Sequence, residues 1–358
     1  MTEREEIRFY QDIPLIASEA AIMEELEAMT GLPIFPVNTD EEESRRDQWF
    51  NAETNRVRKL SLRGLDRYFE GTLFRGTLPE FFLSLISLQV LDLAENQLST
   101  LPESFARLSN LCKLNLSDNN FSGLPESFRN LANLRILDLS HNQFQNLPEN
   151  FERLTGMTHL LLNHNQFDAL PTSFQRLTRL TTLNLSSNAF TMFPDSLLRL
   201  TNLKVLGLAN NRLTSLPETF GNLNNLEKLD LENNQLQSLP ESFGQLMKLR
   251  ELNLRGNNFR SPPLSIGRFP NLTLVKVQAN PYDPPSLIQF LQLNHSNPRI
   301  RVPPNLFNNP LLRNLFASSL TLIDAVCPFC GTDKLVKGKE IGTDRIVSLC
   351  LTCGNHIH

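Results

Sequence analysis

Hydrophobic residues recur along most of the chain with a period of 23 residues, and each period contains the pattern L-x-x-L-x-L-x-x-N. Leucines at alternate positions predict a short strand with one buried face in each period. The asparagines that close the pattern stand at positions 96, 119, 142, 165, 188, 211, 234, 257 and 280. Asparagine suits a tight turn, and its amide can bond backbone groups of neighbouring coils. The sequence therefore predicts a stack of coils with one strand in each coil.

A second apolar position repeats with the same step. A proline recurs from Pro79 to Pro263, and an apolar residue, usually phenylalanine, stands three residues after each proline. This position accounts for much of the aromatic bias, with Phe 24 against Tyr 3 and Trp 1. We expect these side chains to close the coils from inside, since one coil cannot bury itself without its neighbours. A degenerate first coil precedes the regular ones and is formed by Val57, Leu60, Leu62 and Leu65.

The leucine-rich repeat has this signature. Its LPxxFxxL form resembles the 23-residue repeats of plant intracellular Ras-group proteins and related Ras-pathway scaffolds, and residues 24–34 with 55–60 resemble the entry region of prokaryotic members. The resemblance implies an α/β solenoid, a horseshoe with a parallel concave sheet. It also implies that the concave face binds a folded protein, with a small GTPase or its regulator as one candidate.

The pattern divides the chain into four parts. We expect an N-terminal helical cap and linker over residues 1–56, the solenoid over 57–280, a C-terminal helical cap over 281–321 and a zinc-ribbon-like module over 322–358. In the first cap, Ser18 can begin a helix that ends at Gly31, and residues 38–51 are interpreted as a solvated connection. Between Leu65 and Asn96 the period is eight residues longer, and the surplus lies within residues 66–77.

Four cysteines near the C-terminus form two C-x2-C pairs, each followed by glycine and separated by 19 residues: Cys327, Cys330, Cys350 and Cys353. This spacing is typical of a zinc site, and two strands within residues 334–349 would join the pairs as a hairpin. Four thiolates complete a tetrahedron, so the sequence predicts one structural zinc ion with no open coordination position. Disulfides and a redox pair are the alternatives, less favoured because the cell interior is reducing and no βαβ unit surrounds the cysteines.

A partner-binding surface is predicted where the coils depart from their own consensus. The third, fifth, seventh and eighth positions of the pattern should project from the concave sheet. The fifth is mostly Asp or Asn, which we interpret as solvated. The central coils depart from this default, and the candidate partner-binding residues are His141, His159, Leu161 and His164, together with Tyr68 and Phe69 in the insertion. Neutral surface variation is the simpler explanation of the central residues, and cap irregularity is the ordinary explanation of the insertion. A metal site at the histidines is less favoured than either.

Composition and charge exclude several classes of function. The formal net charge is -4, which does not favour a nucleic-acid binder. No signal peptide, long apolar segment or catalytic motif is recognisable, and no histidine lies near Cys112 to activate it. We therefore expect a monomeric, cytoplasmic, non-enzymatic scaffold that needs neither membrane nor nucleic acid. The alternative function is a nucleic-acid-associated or substrate-recruiting adaptor that acts through the zinc module.

Overall fold

The computed structural model describes residues 6–37, 48–65, 76–148, 151, 153–277, 279–283 and 286, and the short segments 300–301, 320–323, 335–339, 346–350 and 356–357. The chain forms two compact units. Unit 1 comprises residues 1–189 and 194–203, and unit 2 comprises residues 190–193 and 204–358. Among the helices of the described residues, none combines the length and the apolar character that crossing a membrane requires.

Unit 1 begins with a hairpin and a helix. β1 (Ile7–Tyr10) pairs antiparallel with β2 (Ile13–Ile16), and α1 (Ala17–Thr30) follows directly. The N-cap residue of α1 is Ile16 rather than Ser18. The Ala17 N–H donates to the carbonyl of Glu6, the residue before β1, and no side chain caps the helix. The helix ends at Gly31, whose left-handed backbone (φ 60°) lets its N–H reach the Glu27 carbonyl at 2.7 Å.

The segment interpreted as a solvated connection is partly a buried strand, and that interpretation is wrong for residues 48–51. β3 (Phe35–Pro36) runs parallel to β4 (Gln48–Glu53), and β4 pairs antiparallel with β5 (Arg56–Leu62). Trp49 and Phe50 are buried, and the Phe50 ring lies 5.4 Å from that of Tyr10. Aromatic side chains bury large apolar areas, so these two residues anchor the strand although they directly follow a charged stretch of the sequence.

The regular coils of unit 1 each contribute one three-residue strand. The strands are β6 (Val90–Asp92), β7 (Lys113–Asn115), β8 (Ile136–Asp138), β9 (His159–Leu161) and β10 (Thr182–Asn184). They pair in parallel with equivalent residues side by side, as Leu114 does with Leu137, and β5 pairs in the same way with β6. The degenerate first coil therefore has the strand that its leucines predict.

On the other side of each coil a proline precedes a short 3-10 helix. In unit 1 these helices are Glu80–Ser84, Glu103–Arg107, Glu126–Asn130, Thr172–Arg176 and Asp195–Arg199. Proline fits the position before the helix because its fixed φ suits the turn and no N–H is required of it. The phenylalanines that follow are buried and stack between coils, with the rings of Phe105 and Phe128 6.4 Å apart and 5° from parallel.

The asparagine ladder predicted from the sequence is confirmed. Asn142 donates from Nδ2 to three backbone carbonyls, those of Leu116, Leu139 and Ser140, at 2.9 to 3.2 Å. Its Oδ1 accepts the Phe121 N–H at 3.0 Å. Asn257 in unit 2 makes the same four kinds of bond. Each side chain thus satisfies backbone groups of its own coil and of the preceding one, which fixes the stacking.

Unit 2 contains five further strands of the same series. They are β11 (Val205–Gly207), β12 (Lys228–Asp230), β13 (Glu251–Asn253), β14 (Leu274–Lys276) and β15 (Ile300–Arg301). The 3-10 helices here are Phe220–Asn222, Glu241–Gln245 and Leu264–Arg268. The solenoid was predicted to end at residue 280, but this boundary is too early, because β15 continues the parallel pairing and covers the backbone edge of β14.

The C-terminal part of unit 2 contains a separate antiparallel sheet. Its strands, in order, are β16 (Leu320–Ile323), β17 (Leu335–Lys339), β18 (Ile346–Cys350) and β19 (His356–Ile357). β17 and β18 occupy the places of the two strands expected to join the cysteine pairs, and they pair with Leu335 opposite Cys350. Cys327, Cys330 and Cys353 lie outside the described residues, and so do most residues of the helical cap expected over 281–321.

Candidate partner-binding surface

The candidate surface is the exposed side of β8, β9 and β10 in unit 1, at the third and fifth positions of their coils. Leu161 occupies the fifth position on β9, and parallel pairing sets it between Asp138 and Asn184. It is half-buried, whereas Leu160 beside it points into the core and is fully buried. The structure thus places an apolar side chain where both neighbouring strands carry a polar one.

The fifth position has a structural task that the sequence analysis missed. At Asp92, Asn115, Asp138 and Asn184 a side-chain oxygen accepts the backbone N–H two residues later, at 2.9 to 3.1 Å. Asp230 and Asn253 in unit 2 do the same. These side chains are therefore turn-forming groups and not merely solvated, since Asp and Asn stabilise such turns by local bonds. A preference for Asp or Asn two residues before the turn is the signal that could have revealed this task.

Burial in these turns changes the titration of the carboxyl groups. Desolvation raises the pKa of Asp92 above its ordinary value, against the lowering effect of the Ala94 N–H and of Arg63. Desolvation also raises the pKa of Asp230. Leu161 has no oxygen and cannot accept the N–H of Asn163. The leucine therefore gives up a bond that the equivalent residues of both neighbouring coils make.

His159 lies two residues before Leu161 on the same face of β9. Its Nδ1 is 2.9 Å from the Thr158 hydroxyl, and pairing sets it between Ile136 and Thr182. Ile136 is half-buried and belongs to the same surface, although the sequence analysis did not select it. Its third position is one that the pattern predicts to project, but isoleucine is ordinary in a strand, so its residue type did not single it out.

His141 and His164 occupy the eighth position, where every regular coil has a left-handed backbone. The φ angles at this position lie between 52° and 65°, at Glu95, Asp118, His141, His164, Ser187, Asn210, Asn233, Gly256 and Ala279. The backbone therefore limits which residues suit this position, and histidine is among those that adopt the left-handed conformation more readily than most. Sequence reasoning interpreted the position only as an exposed one.

The structure brings these two histidines together. The rings of His141 and His164 are stacked, with centroids 4.0 Å apart and planes 17° from parallel. His141 Nδ1 also lies 3.8 Å from an Asp118 carboxylate oxygen. Desolvation and the charge of His141 lower the pKa of His164, while Asp118 acts in the opposite direction. The pair is thus an exposed aromatic surface whose second ring resists protonation.

The described residues do not combine all the selected side chains. His159 and Leu161 share one strand face and His141 stacks on His164, while Tyr68 and Phe69 lie outside the described residues. Within the described ranges no group of three or more His, Cys, Asp or Glu side chains is arranged to hold a metal ion. Cys112 is exposed, and its Sγ lies 3.5 Å from the Asn110 carbonyl oxygen.

Family models agree with the geometry of the coils. Models described as Leucine rich repeat match residues 72–121, 102–144, 124–167 and 201–259, and a second such model matches residues 179–200. The chain contains leucine-rich repeats. The matched ranges include β8, β9 and β10, so the candidate surface lies on the strand side of leucine-rich repeats. A search of curated proteins found no matching sequence.

Solved structures of other proteins, two of them described as leucine-rich repeat structures, are similar to this chain. One is a leucine-rich repeat protein of Leptospira interrogans, 28% identical, with 61% of this chain and 73% of that chain covered and a TM-score of 0.39. Another is the ectodomain of the Arabidopsis thaliana receptor kinase GASSHO1/SCHENGEN3 in complex with CASPARIAN STRIP INTEGRITY FACTOR 2, 35% identical over 55% of this chain and 25% of that chain, with a TM-score of 0.49. The plant peptide hormone receptor RGFR1 in complex with RGF2 is 27% identical over 57% of this chain and 38% of that chain, with a TM-score of 0.48.

Proposed function

We propose that the protein is a non-enzymatic scaffold that binds a folded protein on the exposed side of β8, β9 and β10. The observation that carries this proposal is Leu161. It stands at a turn-forming position, gives up the bond to Asn163 that Asp or Asn would make, and exposes apolar area instead. Leucine at this position leaves out a hydrogen bond in the free protein. Burial of its apolar surface by a bound partner would offset that loss.

The chemistry around Leu161 fits a small protein-binding centre. Ile136 and Leu161 are diagonal neighbours on adjacent strands. His159 lies directly opposite Ile136 and two residues before Leu161 on β9. Asp138 and Asn184 on either side are polar, and the stacked His141 and His164 add aromatic area nearby on the turns. An apolar centre within a polar rim is the arrangement in which one truncation costs on the order of 2 kcal/mol of binding free energy.

The class of partner is suggested by the resemblance of the repeats to Ras-pathway scaffolds. We propose a small GTPase or its regulator as the first candidate, with Tyr68 and Phe69 in the insertion as additional contacts. Pull-down with purified Ras-family GTPases, loaded with GDP or with a GTP analogue, tests this directly. Binding by none of them would remove the GTPase candidate and leave the surface itself to be tested as follows.

The test of the surface uses affinity capture from a lysate of the source organism, with mass spectrometry. Leu161→Asp removes the apolar centre and supplies the turn bond, so it should lose the partner without unfolding. Val205→Asp is the matched control, because Val205 is a half-buried apolar residue on a strand of unit 2. A protein captured by the wild type and by Val205→Asp, but not by Leu161→Asp, supports the proposal. Equal capture by all three would refute it.

The C-terminal cysteines remain part of the proposed function as a structural zinc site, bound by Cys327, Cys330, Cys350 and Cys353. Support comes from the antiparallel pairing of β17 and β18, which brings the backbone of Leu335, five residues after Cys330, opposite Cys350. Elemental analysis should find one zinc per chain, and Cys350→Ser should remove it. Metal-free protein with four titratable thiols would contradict the site. We also propose a cytoplasmic location, which cell fractionation tests.

A further inference from the structure

The outer edge of β1 displays unpaired backbone groups among the described residues. β1 pairs with β2 on one side only, and Phe9 lies opposite Pro14, which has no N–H. Ile16, opposite Ile7, directs its N–H away from β1 to the Asn55 carbonyl at 2.9 Å. Both pairs are therefore non-hydrogen-bonded, and antiparallel alternation directs the N–H and C=O groups of Ile7 and Phe9 to the outer edge.

The same two residues expose their side chains. Phe9 is 71% exposed and Ile7 is 42% exposed, and as residues i and i+2 they lie on one face of the strand. Tyr10, on the opposite face, is buried against Phe50 and anchors the strand. β1 is thus a fixed edge strand with two exposed apolar side chains and four outward backbone groups, a surface that another extended strand can join.

Arg8 defines which strand fits. It lies between Ile7 and Phe9, its side chain is 54% exposed, and its Nε lies 3.9 Å from a carboxylate oxygen of Glu6. Because the backbone of Arg8 is directed to β2, an added strand would face it as a non-hydrogen-bonded pair, in which side chains approach most closely. The opposed residue should be acidic, since opposite charges directly across strands attract and like charges repel.

Arg8 disfavours one register of pairing with a second copy. The antiparallel register that joins the outward groups of Ile7 to those of Phe9 sets Ile7 of each copy opposite Phe9 of the other. It therefore sets the two Arg8 side chains directly opposite each other. If the two copies pair with Phe9 opposite Phe9, Ile7 of each copy faces Gln11 of the other. Gln11 has a left-handed backbone (φ 47°) that ends the strand.

We propose that the outer edge of β1 binds an extended segment of a partner protein with the pattern apolar–acidic–apolar, by strand addition. The apolar residues face Ile7 and Phe9, and the acidic residue faces Arg8. The pattern reads the same in both chain directions, so it holds for parallel and antiparallel addition. This surface uses none of the residues of the proposed scaffold face, and either proposal can fail without the other.

A random heptapeptide library displayed on phage, selected on the full-length protein, tests the inference. Wild-type protein should enrich peptides with Asp or Glu between two apolar residues. Arg8→Glu should instead enrich Lys or Arg at the central place, and should bind the wild-type peptides about fivefold more weakly, in line with the strength of a cross-strand charge pair. Arg107→Glu, an exposed arginine on a 3-10 helix, is the matched control and should keep the acidic motif.

A second measurement separates strand addition from side-chain contact. A selected peptide with N-methylated backbone amides keeps its side chains but cannot donate to the edge, and should lose at least tenfold in affinity. Circular dichroism of Arg8→Glu checks that the variant is folded. No enriched motif, or a motif that Arg8→Glu leaves unchanged, would overturn the proposal. A dimer in light scattering that Phe9→Asp dissociates would assign the edge to a second copy and overturn it as well.

Discussion

The coils of unit 1 and of unit 2 are of the same kind, yet the exposed residues on and beside their strands differ. In unit 2, the residues just before β11, β12 and β13 are charged and paired, with Glu227 3.3 Å from Lys204 and 4.0 Å from Arg250, and on the strands Lys228 lies 2.7 Å from Glu251. In unit 1 the central strands carry Ile136, His159 and Leu161 instead. Because the backbone is the same in both units, only the side chains that depart from the repeat consensus can distinguish a binding surface.

Pairing also makes the unit 2 residues less suited to a partner. A protein that docked there would have to replace contacts that neighbouring coils already make, and would desolvate several charges at once. Docking on Leu161 covers apolar area and breaks no ion pair.

The largest change in the free energy of unfolding is expected at the asparagine ladder, which is the same in both units. Asn142→Ala in unit 1 and Asn257→Ala in unit 2 each leave three carbonyls and one N–H without their side-chain partner. We expect both to lower the free energy of unfolding by about 3 kcal/mol, since buried polar groups left unsatisfied are costly. Chemical denaturation measures this loss. A large loss in one unit alone would mean that the scaffolds are not equivalent.

Much of this scaffold could be predicted from the sequence, because a strict period imposes the same environment on each equivalent residue. The strands, the buried phenylalanines and the ladder followed from leucine, proline and asparagine spacing. Features outside the repeat could not be predicted in this way. Trp49 and Phe50 lie in a single strand of the first cap, and no equivalent residues exist with which to compare them.

The candidate surface was only partly predictable. Leu161 could be selected because a consensus exists at its position, and His141 and His164 for the same reason. The turn bonds of the fifth position and the left-handed backbone of the eighth depend on geometry that spacing does not reveal. Ile136 stands at the third position, which the pattern predicts to project, and it was missed because isoleucine is ordinary in a strand and did not stand out as a departure.

The second prediction concerns stability at the apolar centre. Leu161→Asn supplies an oxygen that can accept the Asn163 N–H, as Asn184 does for Ser186 at 3.1 Å in the next coil. We expect the free energy of unfolding to rise by about 1 kcal/mol, the net value of one such bond. Thermal and chemical denaturation measure it. Val205→Asn, at the third position of its coil, is the control and should not stabilise. If Leu161→Asn is less stable than the wild type, the packing of Leu161 stabilises the fold, and its presence does not require a binding role.

The third prediction tests the pairing in unit 2. A double-mutant cycle of Glu227→Ala and Lys204→Ala should give a coupling free energy of about 0.5 kcal/mol, the usual value of an exposed ion pair. The coupling should decrease at 1 M salt, because the Debye length becomes shorter than the separation of the charges. Zero coupling at low salt would mean that these charges are independent and available, and the contrast between the two surfaces would then rest on Leu161 alone.

The smallest effect is expected at the stacked histidines. The pKa of His164 is lowered in the folded protein, chiefly by desolvation and then by His141. As the pH falls through the ordinary value of about 6.5, the unfolded chain therefore binds a proton before His164 does, and stability that is present at neutral pH is lost toward acid. His164→Asn removes the imidazole, and asparagine accepts the left-handed backbone of this position. Between pH 7.5 and 5.5 the Tm of the wild type should therefore fall by about one degree more than that of His164→Asn. Ser187→Asn, at the same position of the next coil, should keep the wild-type pH dependence. If His164→Asn and the wild type lose the same stability toward acid, the stacked pair contributes no pH dependence, and the surface chemistry of unit 1 reduces to the apolar centre at Leu161.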